Sequence, residues 1–243
     1  MKQEPVYPFY GQSVGVLVFS AGGPRLPGDA GHSRSFSYPV RYEVVEGSFM
    51  DLVQGSESVK ANILDACKRL AALNIKAIVG ECGLMSLYQA EMGALCGALF
   101  AGSSLCQLPM IWELIGRAGT IGIITGHAGL LGRQHLLSSG WREEMHLCIQ
   151  GMQDEPHFAE IVIRGGRSLD AGRMRQDVLA AGEKLMLRAP DLRAVVLECG
   201  NLATYSQSLR SLLGVPVFDT ISAANLLAYA TDPPSYGRFD DSL

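Results

Sequence analysis

Short apolar runs recur along the chain and predict buried β-strands. Each run is rich in β-branched residues and does not alternate strictly between apolar and polar positions, which is typical of strands covered on both faces. The five runs are VGVLVF from Val14, KAIVG from Lys76, TIGIIT from Thr120, EIVIR from Glu160 and RAVVLE from Arg193.

Helical periodicity occurs between several of these runs. From Val59 to Leu73, apolar residues recur close to every 3.6 positions, and the same spacing occurs from Ala171 to Leu187. Strands that alternate with amphipathic helices indicate βαβ units, whose strands run parallel. The pattern therefore predicts an α/β fold with mainly parallel sheets.

The chain also contains an internal repeat. The segments KAIVGECGLMSLYQ from Lys76 and RAVVLECGNLATYS from Arg193 align without gaps and share six of fourteen residues. Weaker matches link VGVLVFSAG from Val14 with IGIITGHAG from Ile121, and LPMIWE with VPVFDT. Matches in the same chain order predict two halves of similar topology.

The composition narrows the classes of protein. Of the 243 residues, 48% are hydrophobic and 18% are charged, which is normal for a globular protein with a substantial core. The net charge is −4, whereas nucleic-acid-binding proteins usually carry a positively charged surface, so no nucleic-acid partner is expected. The chain has no apolar run of about 18 residues and no N-terminal stretch of signal-peptide type, so we expect no membrane partner and a cytoplasmic location. The six cysteines are then expected to be reduced, and their spacing does not predict a metal site.

Two of these cysteines, Cys82 and Cys199, occupy equivalent positions in the repeat. Each follows a predicted strand and precedes a predicted helix, and ligands of parallel α/β sheets bind outside the carboxyl ends of the strands. If the two halves face each other, both thiols point into one cleft. Thiols on opposite sides of a carbon can act as base on one face and acid on the other, because a free thiol titrates near 8.5. The alternative is a duplicated Cys-Gly turn whose cysteine is simply buried.

The residues beside the cysteines repeat as well. Gly83 and Gly200 would let a substrate approach the backbone closely. Glu81 and Glu198 lie one position before each cysteine, and since side chains alternate along a strand, we expect their carboxylates to point away from the cleft and to be structural. If they turned inward, like-charge repulsion would raise the pKa of the thiols.

The turns IVGECGLM and VVLECGNL, together with the loop from Pro27 to Gly47, resemble the aspartate/glutamate racemase superfamily, which includes hydantoin racemases. The resemblance follows the order of elements over nearly the whole chain. It implies two similar flavodoxin-like lobes related by pseudo-twofold symmetry, with the active site between them. The first lobe would comprise residues 1–116 and 220–243, and the second residues 117–219. A homodimer is a further expectation taken from the family.

The resemblance also implies proton transfer without a metal or a pyridoxal cofactor, with Cys82 and Cys199 as the acid/base pair. For His127, which follows a predicted strand, substrate binding and the capping of a tight turn are equal alternatives. Arg25 lies in the long loop from Ala21 to Pro39, where the alternatives are a part of the site and a solvated loop. The residues expected to bind substrate follow the first strand of each lobe or the two cysteines, and they are Ser20, Gly22, Gly83, Leu84, Thr125, His127, Gly200 and Asn201.

We therefore expect a cofactor-independent racemase or epimerase, an isomerase that inverts a carbon next to a carbonyl group. Its substrate would be a small amino-acid-like, hydantoin-like or carboxylic-acid molecule that carries a carboxylate or an imide. Leu84 and Asn201 stand where amino-acid racemases of the superfamily often have Asn-Thr or Thr-His pairs, which disfavours free aspartate or glutamate. One alternative is a single-cysteine enzyme resembling maleate isomerase or arylmalonate decarboxylase. The other is a non-catalytic protein that binds a small ligand.

Overall fold

The computed structural model describes residues 6–20 and 23–235, and its strands form two four-stranded parallel sheets. The first sheet contains β1 (Val14–Phe19), β2 (Val40–Val45), β3 (Ala77–Gly80) and β4 (Leu99–Ala101). The second sheet contains β5 (Thr120–Thr125), β6 (Leu147–Gly151), β7 (Leu192–Leu197) and β8 (Val217–Phe218).

Helices connect the strands and cover the sheets. The α-helices are α1 (Phe49–Gln54), α2 (Glu57–Ala72), α3 (Gln89–Leu95), α4 (Leu108–Leu114), α5 (Arg133–Ser138), α6 (Pro156–Phe158), α7 (Ala171–Arg188), α8 (Ser206–Leu213) and α9 (Thr220–Thr231). Short 3-10 helices span Ser33–Ser35, Gly83–Tyr88, Ser104–Gln107 and Gly200–Tyr205. Within the described ranges, no helix is both long and apolar enough to cross a lipid bilayer.

The two sheets have the same strand order. In the first, β1 lies between β2 and β3, and β4 follows β3; in the second, β5 lies between β6 and β7, and β8 follows β7. Every pair is parallel, from Val14 beside Val40 in the first sheet to Val195 beside Val217 in the second. The prediction of an α/β fold with two similar lobes is confirmed.

Local sequence explains where the long helices begin, and packing explains where the last helix lies. Ser56 caps α2 and Asp170 caps α7, each by accepting a hydrogen bond from a backbone N–H of the first turn. In α9, the small residues Ala224 and Ala228 pack in one buried cluster with Val14 of β1. The C-terminal helix therefore covers the first sheet, although it follows the second in the chain.

The prediction of a strand at EIVIR, from Glu160, is wrong. Ala159–Ile163 is a π-helix that continues the helix begun at Pro156. Proline suits the first turn of a helix, and the Asp177 carboxylate accepts hydrogen bonds of 2.7 and 2.8 Å from the next two N–H groups. A helical start is thereby fixed, and an apolar run of this length fits a helix as well as a strand.

The similarity between LPMIWE and VPVFDT does not reflect similar structure. The first segment forms α4, with Pro109 in its first turn, whereas the second contains β8. The repeat therefore holds for the first strand and the cysteine-bearing strand of each lobe, and not for these segments.

Candidate active site

The carboxyl ends of β3 and β7 meet where the two lobes touch. The backbone of Cys82 forms an isolated antiparallel bridge with that of Cys199. Each cysteine caps a 3-10 helix, Gly83–Tyr88 or Gly200–Tyr205, and their backbone angles are similar (φ −99°, ψ 125° and φ −81°, ψ 123°). The structure therefore brings the two Cys-Gly turns of the repeat together.

Both cysteines are free and half-buried. Burial raises the pKa of each thiol above its ordinary value, and the nearby Glu198 carboxylate raises it further. The backbone N–H groups of Leu84 and Asn201, two residues after each cysteine, act in the opposite direction by hydrogen bonding to sulfur. Both cysteines are therefore protonated thiols near neutral pH.

The Glu198 carboxylate does not point away from the contact between the lobes, as strand alternation led us to expect. A Cβ atom at Gly83 would overlap the Glu198 carboxylate, and a Cβ atom at Gly200 would lie 2.5 Å from the Glu81 carbonyl oxygen. Alternation does not apply because both strands end before the glutamates. The Glu198 side chain packs on Gly83 and the Glu81 carbonyl packs on Gly200, and neither contact leaves room for a Cβ atom.

Glu81 is neutralised by an arginine from the loop after β1. It accepts a hydrogen bond from the Phe19 N–H at 3.2 Å and two from the Arg25 guanidinium at 2.5 and 3.0 Å. Burial lowers the pKa of Arg25, but its two carboxylate partners raise it more, so the guanidinium stays charged. Arg25 also donates to Asp29 at 2.7 Å, and Asp29 accepts a 2.8 Å bond from Asn201 of the other lobe. This chain of contacts ties the first-lobe loop to the second Cys-Gly turn.

Glu198 has different partners. The Thr125 hydroxyl donates to its carboxylate at 2.7 Å, and the Gly126 N–H also hydrogen-bonds to it. Glu198 has no ion-pair partner within residues 6–20 and 23–235. Burial raises the pKa of its carboxyl group, while the bonds from Thr125 and Gly126 oppose the rise. The site is thus asymmetric, with one buried carboxylate paired with a cation and one not.

The structure places the other residues expected to bind substrate in varied roles. Ser20 donates to a backbone carbonyl of its own lobe at 3.3 Å, and Leu84 belongs to the first-lobe core. His127 Nδ1 accepts a 3.1 Å hydrogen bond from the N–H two residues later, which matches the turn-capping alternative. Gly22 lies outside the described residues. Of this set, the residues that lie at the two cysteine turns or contact their glutamates are Gly83, Leu84, Thr125, Gly200 and Asn201.

Sequence reasoning missed Asp29 and left Arg25 between two alternatives. Asp29 is only 1% exposed, and the Arg25 side chain is 18% exposed, so neither is solvated. The sequence indicates only that this Gly- and Pro-containing loop carries several charged residues. It does not indicate which residues they pair with.

Two cavities lie beside the 3-10 helices that the cysteines cap. One, of about 20 Å³, is lined by residues of both lobes that include Asp29, Asn201 and Tyr205. The other, of about 560 Å³, is lined by Tyr88 and by His135 of the opposite lobe. Tyr88 and Tyr205 each lie six residues after a cysteine, but the cavities that they line differ widely in volume.

The comparisons with curated proteins point to one kind of enzyme. No protein-family model matches the chain. A dimethylsulfoniopropionate lyase from Durusdinium sp. clade D is 28% identical over 225 residues, which cover 88% of this chain and 74% of that protein. Dimethylsulfoniopropionate lyase 7 from Emiliania huxleyi (strain CCMP1516) is 30% identical over 237 residues, which cover 93% of this chain and 69% of that protein. Lyase 6 from the same strain is equally identical, and the match spans 61% of its length.

Solved structures that resemble the chain share its fold. An arylmalonate decarboxylase covers 90% of this chain and 91% of its own, with a TM-score of 0.62 and 16% identity. Allantoin racemase from Klebsiella pneumoniae covers 90% of this chain and 87% of its own, with a TM-score of 0.60 and 19% identity. The fold that the resemblance to the aspartate/glutamate racemase superfamily implied is therefore confirmed.

The predicted reaction class, an isomerase of the racemase or epimerase type, is wrong. The curated relatives are lyases, which cleave their substrate, and they match most of this chain. The cysteine pair was expected to remove a proton next to a carbonyl group, and this first step is common to racemisation and elimination. By its identity to these relatives over nearly its whole length, the chain belongs to the family of the dimethylsulfoniopropionate lyases.

Proposed function

We propose that this protein eliminates dimethyl sulfide from dimethylsulfoniopropionate and leaves acrylate. The observation that carries the proposal is the meeting of Cys82 and Cys199 at the contact between the lobes, in a chain that is 30% identical to a dimethylsulfoniopropionate lyase. A thiolate at this position would be a base at the contact between the two lobes. Elimination from the substrate begins with the removal of a proton by such a base.

The chemistry of the substrate fits a single base. Its α-carbon lies next to a carboxylate, and its β-carbon carries a sulfonium, which is a good leaving group. When a thiolate removes an α-proton, the C–H electron pair forms the C=C bond of acrylate, and the C–S pair departs with sulfur as neutral dimethyl sulfide. Dimethylsulfoniopropionate has no stereocentre, so the second proton transfer that a racemase needs has no role in this reaction.

The charge of the substrate would help to form the base. Burial and Glu198 keep the thiols protonated, because both effects raise their pKa. A sulfonium cation beside the thiols opposes both effects, since an opposite charge nearby favours the ionised form. The N–H groups of Leu84 and Asn201 would then hold the thiolate by hydrogen bonds.

The test is to incubate the purified chain with dimethylsulfoniopropionate and to measure dimethyl sulfide and acrylate. We expect equal amounts of the two products. The control is the double variant Cys82→Ser/Cys199→Ser, which keeps the size of both side chains but removes both thiols. Absence of product from the wild-type chain, or an unchanged rate in the double variant, would contradict the proposal.

A further inference from the structure

The two cysteine turns differ in the side chain that lies beside the thiol. Two positions after the cysteine, the first turn has Leu84 and the second has Asn201. The Cys199 thiol donates a hydrogen bond to the side-chain oxygen of Asn201, with 3.5 Å between sulfur and oxygen. Leu84 is apolar and packs in the first-lobe core, and within residues 6–20 and 23–235 the Cys82 thiol donates to no acceptor.

The amide of Asn201 is held with its oxygen toward sulfur. Its nitrogen donates to the Asp29 carboxylate at 2.8 Å, and because a carboxylate only accepts, the amide oxygen is left for Cys199. Asp29 is fixed in turn, since it is 1% exposed and its other oxygen accepts bonds of 2.7 Å from Arg25 and from the Gly31 N–H. A loop of the first lobe therefore orients a side chain on the cysteine turn of the second.

An acceptor beside a thiol favours the neutral form of the thiol. The hydrogen bond requires the S–H proton, and after ionisation the amide oxygen would face a negatively charged sulfur. Asn201 therefore makes Cys199 harder to ionise. The other influences act on both cysteines alike, because both lie buried near Glu198 and each sulfur accepts a bond from the N–H two residues later.

We propose that Asn201 holds Cys199 as a thiol and leaves Cys82 as the base that removes the α-proton. Asn201 is then a positioning residue, which gives different roles to two cysteines that occupy equivalent positions in the repeat. The assignment rests on the proposed elimination, since that reaction needs a single base.

The proton balance of this scheme agrees with thiols that are neutral at rest. When the sulfonium enters, the Cys82 thiol releases its proton to water and becomes a thiolate. The thiolate takes the α-proton, the C–H electron pair forms the C=C bond of acrylate, and the C–S pair departs with dimethyl sulfide. Cys82 is then a neutral thiol again, and one proton has been released to water for each acrylate formed. The Cys199 thiol keeps its proton throughout.

The charged side chains around the two sulfurs are carboxylates from both lobes and one guanidinium. They are Glu81, Glu198, Asp29 and Arg25. Replacement of Asn201 by a neutral side chain alters none of these charges. Its effect on Cys199 can therefore be measured against an unchanged set of charges.

The main experiment compares the rates at which iodoacetamide alkylates Cys82 and Cys199, each followed in its own peptide by mass spectrometry. At about pH 8, below the ordinary thiol value of about 8.5, each rate is proportional to the fraction of thiolate. Asn201→Leu gives the second turn the side chain of the first. In this variant we expect alkylation of Cys199 to become about tenfold faster and that of Cys82 to stay within about twofold of wild type.

The matched control is Asn225→Leu. Asn225 lies in α9, and its side-chain oxygen accepts a bond from the Tyr38 hydroxyl instead of a thiol, so both alkylation rates should stay unchanged. A merely structural role of Asn201 would expose both cysteines together. An unchanged rate at Cys199 in Asn201→Leu, or an equal rise at both cysteines, would therefore overturn the role of Asn201.

Kinetics of acrylate formation test which cysteine is the base, even if Asn201→Leu does not fold. Cys82→Ser should lower kcat/KM about 1000-fold, and Cys199→Ser about tenfold or less. The reverse order, or equal losses, would overturn the assignment and leave the lyase proposal standing. A wild-type chain that forms no acrylate overturns the lyase proposal, and the assignment of Cys82 with it.

Discussion

Cys82 and Cys199 are 117 positions apart in the chain, yet their backbones pair directly in an antiparallel bridge. Their turns are therefore held at a fixed distance by the backbone and not by side chains alone. One consequence is that each glutamate of the repeat reaches the glycine of the other lobe. The two lobes thus share one site, to which each contributes a cysteine, a glycine and a carboxylate.

The two cysteines should be unequal in a lyase. Elimination needs one base, whereas inversion needs a group on each face of the carbon. We expect Cys→Ser at the base to lower kcat/KM for acrylate formation about 1000-fold, and Cys→Ser at the other position to lower it about tenfold or less. Steady-state kinetics of Cys82→Ser and Cys199→Ser measures the difference.

The control for this comparison is Cys148→Ser, a half-buried cysteine in β6, far along the chain from both turns. It should keep wild-type kinetics. Equal and complete loss of activity in both active-site variants would contradict the single-base scheme.

Arg25 should be essential for stability. Its replacement by methionine keeps much of the side-chain volume but leaves Glu81 and Asp29 buried without their cation. Removal of one partner from a buried ion pair typically costs about 3–5 kcal/mol, and we expect about 3 kcal/mol here because the Arg25 side chain is 18% exposed. Urea unfolding of Arg25→Met measures it, and Arg34→Met, an exposed arginine of the same loop, should stay within about 0.5 kcal/mol of wild type. Equal stabilities of the two variants would argue against the role of Arg25.

Local patterns in the sequence were sufficient for four of the eight strands in the described part of the chain and for the two cysteine turns, but not for β2, β4, β6 and β8. β1, β3, β5 and β7 lie within the predicted runs rich in apolar residues, and the repeated Cys-Gly turn marks the ends of two of them. The strand prediction at Glu160 is wrong because an apolar segment of that length is compatible with either a strand or a helix. The helix is favoured by Asp177, which accepts a hydrogen bond from the N–H of His157, 20 residues earlier.

Contacts between distant residues were not predictable from these patterns. The bond of Arg25 to Glu81 joins positions 56 residues apart, and nothing in either segment specifies it. The reaction class was not predictable either, because racemisation and elimination begin with the same removal of an α-proton. They differ in the leaving group on the substrate, which the two thiols do not specify.

Gly83 and Gly200 should respond differently to an added methyl group. A Cβ atom at Gly200 would lie 2.5 Å from a backbone carbonyl oxygen, which cannot easily move, whereas a Cβ atom at Gly83 meets the side chain of Glu198. We expect Gly200→Ala to lose the more stability, about 1–3 kcal/mol, and Gly83→Ala to lose activity by displacing the carboxylate. Unfolding curves and kcat of both variants test this.

Gly126→Ala is the control for these variants, because its Cβ would lie at ordinary contact distances of 3.5 Å or more. It should stay within about 0.5 kcal/mol of the stability of wild type. A similar loss of stability in all three alanine variants would contradict the prediction, because it would show that a Cβ atom at Gly83 or Gly200 is no more destabilising than one at Gly126.

His135 should make the stability of the protein depend on pH. It is 5% exposed, its Nδ1 accepts a 3.1 Å bond from the Gly132 N–H, and its Nε2 has no partner among the described residues. Burial lowers the pKa of His135. The unfolded chain therefore binds a proton more readily than the folded one, near the ordinary histidine value of about 6.5. The free energy of unfolding should accordingly fall as the pH drops through that value.

The variant His135→Asn tests this, because its side-chain oxygen can still accept the bond from Gly132 but does not titrate. Urea unfolding at about pH 7.5 and about pH 5.5, on either side of the histidine value, should show a smaller loss of stability in His135→Asn than in wild type. His146→Asn changes an exposed histidine and should keep the full pH dependence of wild type. If His135→Asn loses as much stability on acidification as wild type does, the buried His135 is not the group responsible.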